Sequence, residues 1–329
     1  MIELSTHTRP LHGHWVPGLG RAHHYGDVYR QMFACPMQAT FNVAADGDIN
    51  AYQPARIGDM TWPNEQPHLC WFWLLRLPGD LRAWAMRWQG TGLPGNRLEI
   101  ISKRRLPDSL RDGEFEIGVC EPWTDDAIAA WAASTYQWQG FDWCPTKRAD
   151  SARVWHAIEP RVQWSGADLL DIGSHYGYHA YQASRAGAYV RAVEPDDETR
   201  ENAQIINDHI ERADVEFLAS DPGGAFDVIL YLSVQHQHDP GYERLAETVA
   251  ALKARARQAV FVEVILPPMF GAGLSESQVD AMVGGDVLDT YQHKVRGVRR
   301  LYRVKGGRQV GLEPETERIS ATTIRGAFR

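Results

Sequence analysis

The chain has 329 residues, 44% hydrophobic and 23% charged, ordinary values for a globular protein and enough length for two domains of about 100 to 200 residues. Its 34 Lys and Arg against 42 Asp and Glu leave a formal charge of −8, which argues against broad electrostatic capture of nucleic acid. No stretch approaches the roughly 18 apolar residues of a membrane span, and Met1-Ile2-Glu3-Leu4 lacks the basic start and apolar run of a secretory leader, so the cytoplasm and no membrane partner are expected.

The first 30 residues, rich in His, Gly and Pro, read as irregular structure. His12, His14, His23 and His24 lie there without a spacing that builds a metal site. Residues 41–52 alternate around Asp46-Gly47 and predict a β-hairpin; further strands are expected over 69–77, 98–102 and 114–120. Trp71-Phe72-Trp73-Leu74-Leu75 reads as core packing in preference to base or sugar stacking, although Lys103, Arg104 and Arg105 lie nearby. Thr124-Asp125-Asp126 before an Ala-rich run predicts a capped helix. The sum is an α+β module.

All 12 tryptophans fall between Trp15 and Trp164, and the 4 cysteines, Cys35, Cys70, Cys120 and Cys144, precede residue 145. That shift predicts two modules, 1–145 and 146–329, joined near Asp142-Trp143-Cys144-Pro145-Thr146-Lys147, where proline interrupts regular structure. The cysteines show no C-x2-C spacing and read as ordinary thiols. Beyond the join, Val154, Ile158 and Val162 recur at near-helical spacing. Strands are then predicted over 169–172, 189–193, 215–218, 228–232 and 260–265, with helices over 178–186, 198–210, 242–257 and 275–283. The stretches 287–295 and 300–304 read as a closing antiparallel pair. This alternation predicts an α/β domain with a doubly wound, Rossmann-like, mostly parallel sheet and a final antiparallel strand.

The first of these strands ends in Leu170-Asp171-Ile172-Gly173-Ser174-His175-Tyr176-Gly177-Tyr178-His179. Gly173 and Gly177 let the backbone approach a ligand at a helix start, with Ser174 and His175 completing the turn. Asp171 suits an ammonium group and opposes a pyrophosphate. Glu194 closes the second strand, placed for ribose hydroxyls, and Asp221 follows the third, suited to an exocyclic amine. These acids in register with a Gly turn resemble the cofactor site of class I S-adenosylmethionine (SAM) dependent methyltransferases. The resemblance covers the second half of the chain, about 162–305. It implies SAM as cofactor, with Asp171, Gly173, Ser174, His175, Gly177, Glu194, Asp221 and Leu232 facing it. His175 departs from the family pattern by standing where the middle glycine is expected. The Gly177-Tyr178-His179 ending is similar to tRNA wobble-uridine and some sugar or natural-product methyltransferases.

After the fourth strand, His236 and His238 are candidate bases for an acceptor proton, with Asp239 to orient one of them. No metal is expected, because adjacent loop ligands alone do not make a site. The expected acceptor is a small metabolite, sugar or natural product methylated on oxygen or nitrogen, with the Trp-rich module capping the strand ends and selecting it. RNA is the second class: 10 Lys or Arg against 3 Glu lie between Tyr291 and Arg329, and this reading requires Arg299, Arg300 and Arg303 to line the pocket. A non-catalytic SAM-binding subunit is a third reading. A nicotinamide-dependent oxidoreductase is disfavoured by Asp171 and by the missing G-x-G-x-x-G spacing.

Overall fold

The computed structural model describes residues 8–17, 28–33, 37, 39–62, 65–79, 81–134, 140–144, 149–271, 273–293 and 297–307. His23, His24, Cys35, Pro145, Thr146, Lys147 and the basic stretch beyond Gly307 lie outside them.

Where the sequence suggested an α+β module, the structure has an antiparallel barrel. Its elements are β1 (Thr8–Trp15), the short helix α1 (Arg30–Phe33), β2 (Ala39–Ala45), β3 (Arg56–Met60), β4 (His68–Leu77), β5 (Leu81–Trp88), β6 (Arg97–Ser102), β7 (Glu114–Cys120) and the helix α2 (Asp125–Ser134). The strand order is β3-β4-β5-β6-β2-β1-β7, and β4 also pairs with β7. Closure through β4 and β7 removes two sheet edges and leaves β3 appended outside the ring.

Both faces of β4 are buried, which is why it reads as an unbroken apolar run. Trp73, Leu75 and Leu77 enter one apolar cluster with Val43, Ile100 and Ile117. Phe72 and Leu74 enter another with Tyr29, Phe33 and Trp84, as the two-residue period of a strand requires. Trp73 also donates its indole N–H to the Tyr52 carbonyl at 2.9 Å. The predicted strands 69–77, 98–102 and 114–120 are β4, β6 and β7. The hairpin over 41–52 does not form: β2 pairs with β1 and β6, and Ile49–Ala51 is a 3-10 turn capped by the Asp48 carboxylate on the Asn50 N–H. β1 occupies the stretch expected to be irregular. Its Gly13 is required by packing, because a Cβ there would stand 2.5 Å from Val43 Cγ1.

The later elements are α3 (Ala149–Ile158), β8 (Asp168–Ile172), α4 (Tyr178–Arg185), β9 (Tyr189–Val193), α5 (Asp197–Ile205), β10 (Val215–Leu218), β11 (Phe226–Leu232), α6 (Gln235–His238), α7 (Leu245–Arg255), β12 (Ala256–Ile265), α8 (Glu276–Val283), β13 (Asp286–His293) and β14 (Gly297–Lys305). The sheet order is β10-β9-β8-β11-β12-β14-β13. β11 runs parallel to β8 and β12, whereas β14 is antiparallel to β12 and β13. The sheet is therefore mixed, and the arrangement expected from the sequence is met in part. Chain order reverses direction across the sheet between β8 and β11, the position at which open α/β sheets form a crevice beyond the strand ends.

Val260, Val262 and Val264 of β12 pack with Leu170, Leu245, Val249, Val279 and Val283 on one face. Asp171 is in register with Leu230, and Leu230 with Phe261, so Asp171 and Glu263 belong to the opposite face. The predicted helix 275–283 starts at Ser275, whose capping box with Gln278 fixes the first turn.

Two units are distinguished: Met1–Thr135 with Ser184–Tyr189 and Gln204–Glu216, and Tyr136–Ala183 with Val190–Ala203 and Phe217–Arg329. In the first, the π-helical turn Ile206–Glu211 following α5 carries Asp208, buried between Arg76 and Arg82 at 2.7 Å each. Removing one member of a buried ion cluster strands the others without compensation. Asp208→Ala should therefore lower stability by about 3 to 5 kcal/mol in urea unfolding; a loss under about 1 kcal/mol would show that the arginines find other partners.

Candidate functional site

β8 delivers Asp171 to the switch in strand order, and the turn after it is left-handed at alternate residues: Gly173 has φ 72°, His175 φ 52° and Gly177 φ 84°. Both glycines are also sterically required. A Cβ at Gly173 would stand 2.5 Å from Val234 Cγ2, and one at Gly177 would stand 2.7 Å from the Phe217 ring. His175 occupies the middle left-handed position as an L residue, at a cost of about 1 to 3 kcal/mol. Its N–H donates to Glu194 Oε2 at 3.0 Å, which helps hold that conformation. The N–H groups of Gly173 and Ser174 donate to the Val193 carbonyl at 2.9 and 3.0 Å, tying the turn to the end of β9.

Glu194 is buried, and its Oε1 accepts from the Asp196 N–H at 3.1 Å. One donor on each oxygen leaves a second lone pair on each, free to accept from a vicinal diol. Burial raises the Glu194 pKa against the opposing pull of those N–H groups. Asp171 is fully enclosed; burial, then the nearby Glu194 charge, pushes its pKa up to about 7. Its Oδ2 is buried without a hydrogen-bond partner, an arrangement suited to a cationic donor.

Asp221 lies beyond the end of β10 and is engaged elsewhere. Arg255 grips both carboxylate oxygens at 2.5 and 2.8 Å, and the Gly223 N–H donates to Oδ1 at 2.8 Å. An adenine amino group would have to share Oδ2 with that guanidinium. Leu232, half-buried, ends β11 opposite Glu263. In α6, His236 is buried against the Phe270 ring with centroids 4.8 Å apart, and His238 is half-buried. Asp239 was expected to orient a histidine; its carboxylate accepts from Gln235 Nε2 at 2.8 Å and from the N–H groups of Glu243 and Arg244 at 3.0 and 2.8 Å. It thereby fixes the turn leading into α7.

Sequence reasoning missed a polar cluster at the end of β11, made by the half-buried Ser233 and the buried Glu263, Tyr291 and Arg299. Tyr291 donates to Glu263 Oε1 at 2.5 Å, Arg299 Nη1 donates to Glu263 Oε2 at 3.0 Å and to Ser233 Oγ at 2.5 Å, and Ser233 Oγ donates to Glu263 Oε2. The signal for it was the single acid in the apolar run Phe261-Val262-Glu263-Val264-Ile265, since a carboxylate is rarely buried unpaired.

The basic residues of the RNA reading do not converge. Arg299 and Arg303 lie on one face of β14 and Arg300 on the other. Arg299 is paired with Glu263, and Arg300 with Glu276 and Asp280. Among the described residues no group of three His, Cys, Asp or Glu side chains gathers to hold a metal, and no helix is long and apolar enough to cross a membrane.

No family model matches the chain, and no curated protein matches it. Among solved structures it is similar to magnesium protoporphyrin IX methyltransferase from Synechocystis PCC 6803 with bound SAM, at 17% identity over 47% of this chain and 77% of that one, with a TM-score of 0.39. It is also similar to the bifunctional kinase-methyltransferase WbdD, at 16% identity over 54% of this chain and 46% of that one, with a TM-score of 0.45. A third is the N-methyltransferase NodS from Bradyrhizobium japonicum WM9, at 9% identity over 48% and 97% of the respective chains, with a TM-score of 0.39. Likenesses this distant leave the site to be read from its own geometry.

Asp171 makes the stability of the free protein depend on pH. Its folded pKa of about 7 exceeds the unfolded value of roughly 3.9, so the folded state binds the extra proton and loses stability as pH rises through that window. His179, buried on the Ser151 carbonyl and pushed down to about 4, acts in the opposite direction, because its stability is lost as pH falls. The Asp171 contribution is therefore read as the difference between wild type and Asp171→Asn. Between pH 5 and 8 wild type should lose at least about 1.4 kcal/mol relative to the variant in urea unfolding, one unit's worth of shift; parallel pH profiles would refute the buried, protonated carboxyl.

Proposed function

We propose that this chain is a SAM-dependent methyltransferase acting on an oxygen or nitrogen of a small-molecule acceptor. The observation that carries the reading is the buried, partnerless Asp171 Oδ2 at the foot of a turn whose glycines admit no side chain. Asp171 holds the ammonium group of the cofactor, the backbone of Gly173, Ser174, His175 and Gly177 lies along its methionine part, and Glu194 accepts from both ribose hydroxyls through its remaining lone pairs. Leu232 covers the apolar side, and Asp221 flanks the adenine with the limitation its pairing to Arg255 imposes. SAM supplies a methyl group on a positively charged sulfur, so the protein's task is to align an acceptor in line with it and to exclude water. Where the acceptor is a hydroxyl, His238, more open than the buried His236, takes its proton; Asp239, next after the helix that carries both, fixes the turn into α7.

The dinucleotide reading conflicts with Asp171, which would lie against a pyrophosphate. The RNA reading is weakened by the pairing of Arg299 and Arg300 to acids on opposite faces. A site kept only for scaffolding has no need to enclose an unmatched carboxyl, which destabilises the free protein by about 1 to 3 kcal/mol.

Calorimetric titration with S-adenosylhomocysteine (SAH), with NADH as control, tests the reading. Saturable SAH binding that Glu194→Ala weakens by more than about tenfold, or 1.4 kcal/mol, is expected. No binding, or preference for NADH, would overturn it.

A further inference from the structure

Ser233 closes β11 with φ 58°, a left-handed backbone that an L residue adopts only where its surroundings impose it. The imposing groups belong to the polar cluster. The Ser233 N–H donates to the Glu263 carbonyl at 3.1 Å, its hydroxyl is bound between Glu263 and Arg299, and Tyr291 and Arg299 hold the same Glu263 carboxylate from β13 and β14. Glu263, Tyr291 and Arg299 are all buried. The next residue, Val234, is buried too, and its Cγ2 lies 2.5 Å from the point where a Cβ on Gly173 would stand. A rigid line of contacts thus runs from the edge strands through Ser233 to the turn beside Asp171.

We propose that Glu263, Tyr291 and Arg299 are positioning residues, which hold Ser233 left-handed so that Val234 buttresses Gly173 and sets the cofactor turn in its binding shape. This rests on the reading of that turn as the SAM site. Glycine adopts this φ without strain, whereas a serine there has to be held in it by the groups around it. A buried ion pair is weak as a source of stability but well suited to fixing one geometry among several, because breaking its registry exposes uncompensated charge.

The two effects of Ser233, its hydroxyl and its backbone, separate cleanly. Ser233→Ala and Ser233→Gly delete the same hydroxyl, but only glycine keeps the left-handed conformation easily. The test is SAH titration of both variants, alongside Glu263→Gln and the double variant Glu263→Gln with Ser233→Gly, with thermal melting of each to confirm folding. Ser233→Ala should weaken SAH binding about tenfold, and Ser233→Gly should stay within about twofold of wild type. Glu263→Gln should weaken binding, and the added Ser233→Gly should restore most of it. Equal loss in the alanine and glycine variants would mean that the hydroxyl acts by direct contact, and no loss in either would mean that the turn holds its shape unaided; both outcomes overturn the proposal, and the serine pair decides it even if Glu263→Gln does not fold. A wild-type protein that fails to bind SAH overturns the cofactor reading itself, and the proposal with it, and is recognised because the parent protein is silent.

Discussion

Asp171 sits at the end of β8 with one carboxylate oxygen enclosed and unmatched, and with the Glu194 charge raising its pKa further. Everything around it is built to keep that arrangement. The following turn is left-handed at alternate residues, its N–H groups at Gly173, Ser174 and His175 donate to Val193 and Glu194, and Val234 closes the space over Gly173. An unmatched buried carboxyl is destabilising by about 1 to 3 kcal/mol. A cationic ligand at that point removes the penalty and adds a charge-assisted hydrogen bond, so affinity for such a ligand is prepared in the free protein.

The same logic explains why the neighbouring strands carry polar groups within an apolar sheet. Glu263 interrupts a run of valine and isoleucine in β12, yet every oxygen of its carboxylate is bound, by Tyr291, Arg299 and Ser233. Its backbone and side chain fix the end of β11, and Val234 transmits that placement to the turn after β8. The face of the sheet that carries Asp171 and Glu263 is thus specialised for positioning, while the opposite face, with Val260, Val262 and Val264 against α7 and α8, supplies ordinary hydrophobic burial.

How far the sequence disclosed this depended on how local each determinant is. Strands β8 to β12 were legible as short apolar runs, and the positions of Asp171, Gly173 and Glu194 followed from the Gly turn after β8 and the acid after β9. The barrel was not legible. β1 hides its alternation behind His, Gly and Pro, β3 is interrupted by Gly58 and Asp59 and β5 by Arg82 and Arg87, and closure rests on a pairing of Leu75 with Val119 that joins strands far apart in sequence. The fate of Asp221 was equally hidden: its position after β10 is local, but its partner Arg255 comes from the end of α7. His175 shows the reverse case, where the sequence departed from the expected glycine and the backbone kept the left-handed φ that glycine would have supplied.

The most direct measurement is a crystal structure of the full chain grown with SAH. The amino group of the ligand should lie within hydrogen-bond distance of Asp171 Oδ2 and its ribose hydroxyls on Glu194, with the turn from Gly173 to Gly177 unchanged. A ligand bound away from β8 and β9, or one lying in the crevice with Asp171 still unpartnered, would contradict this reading of the site.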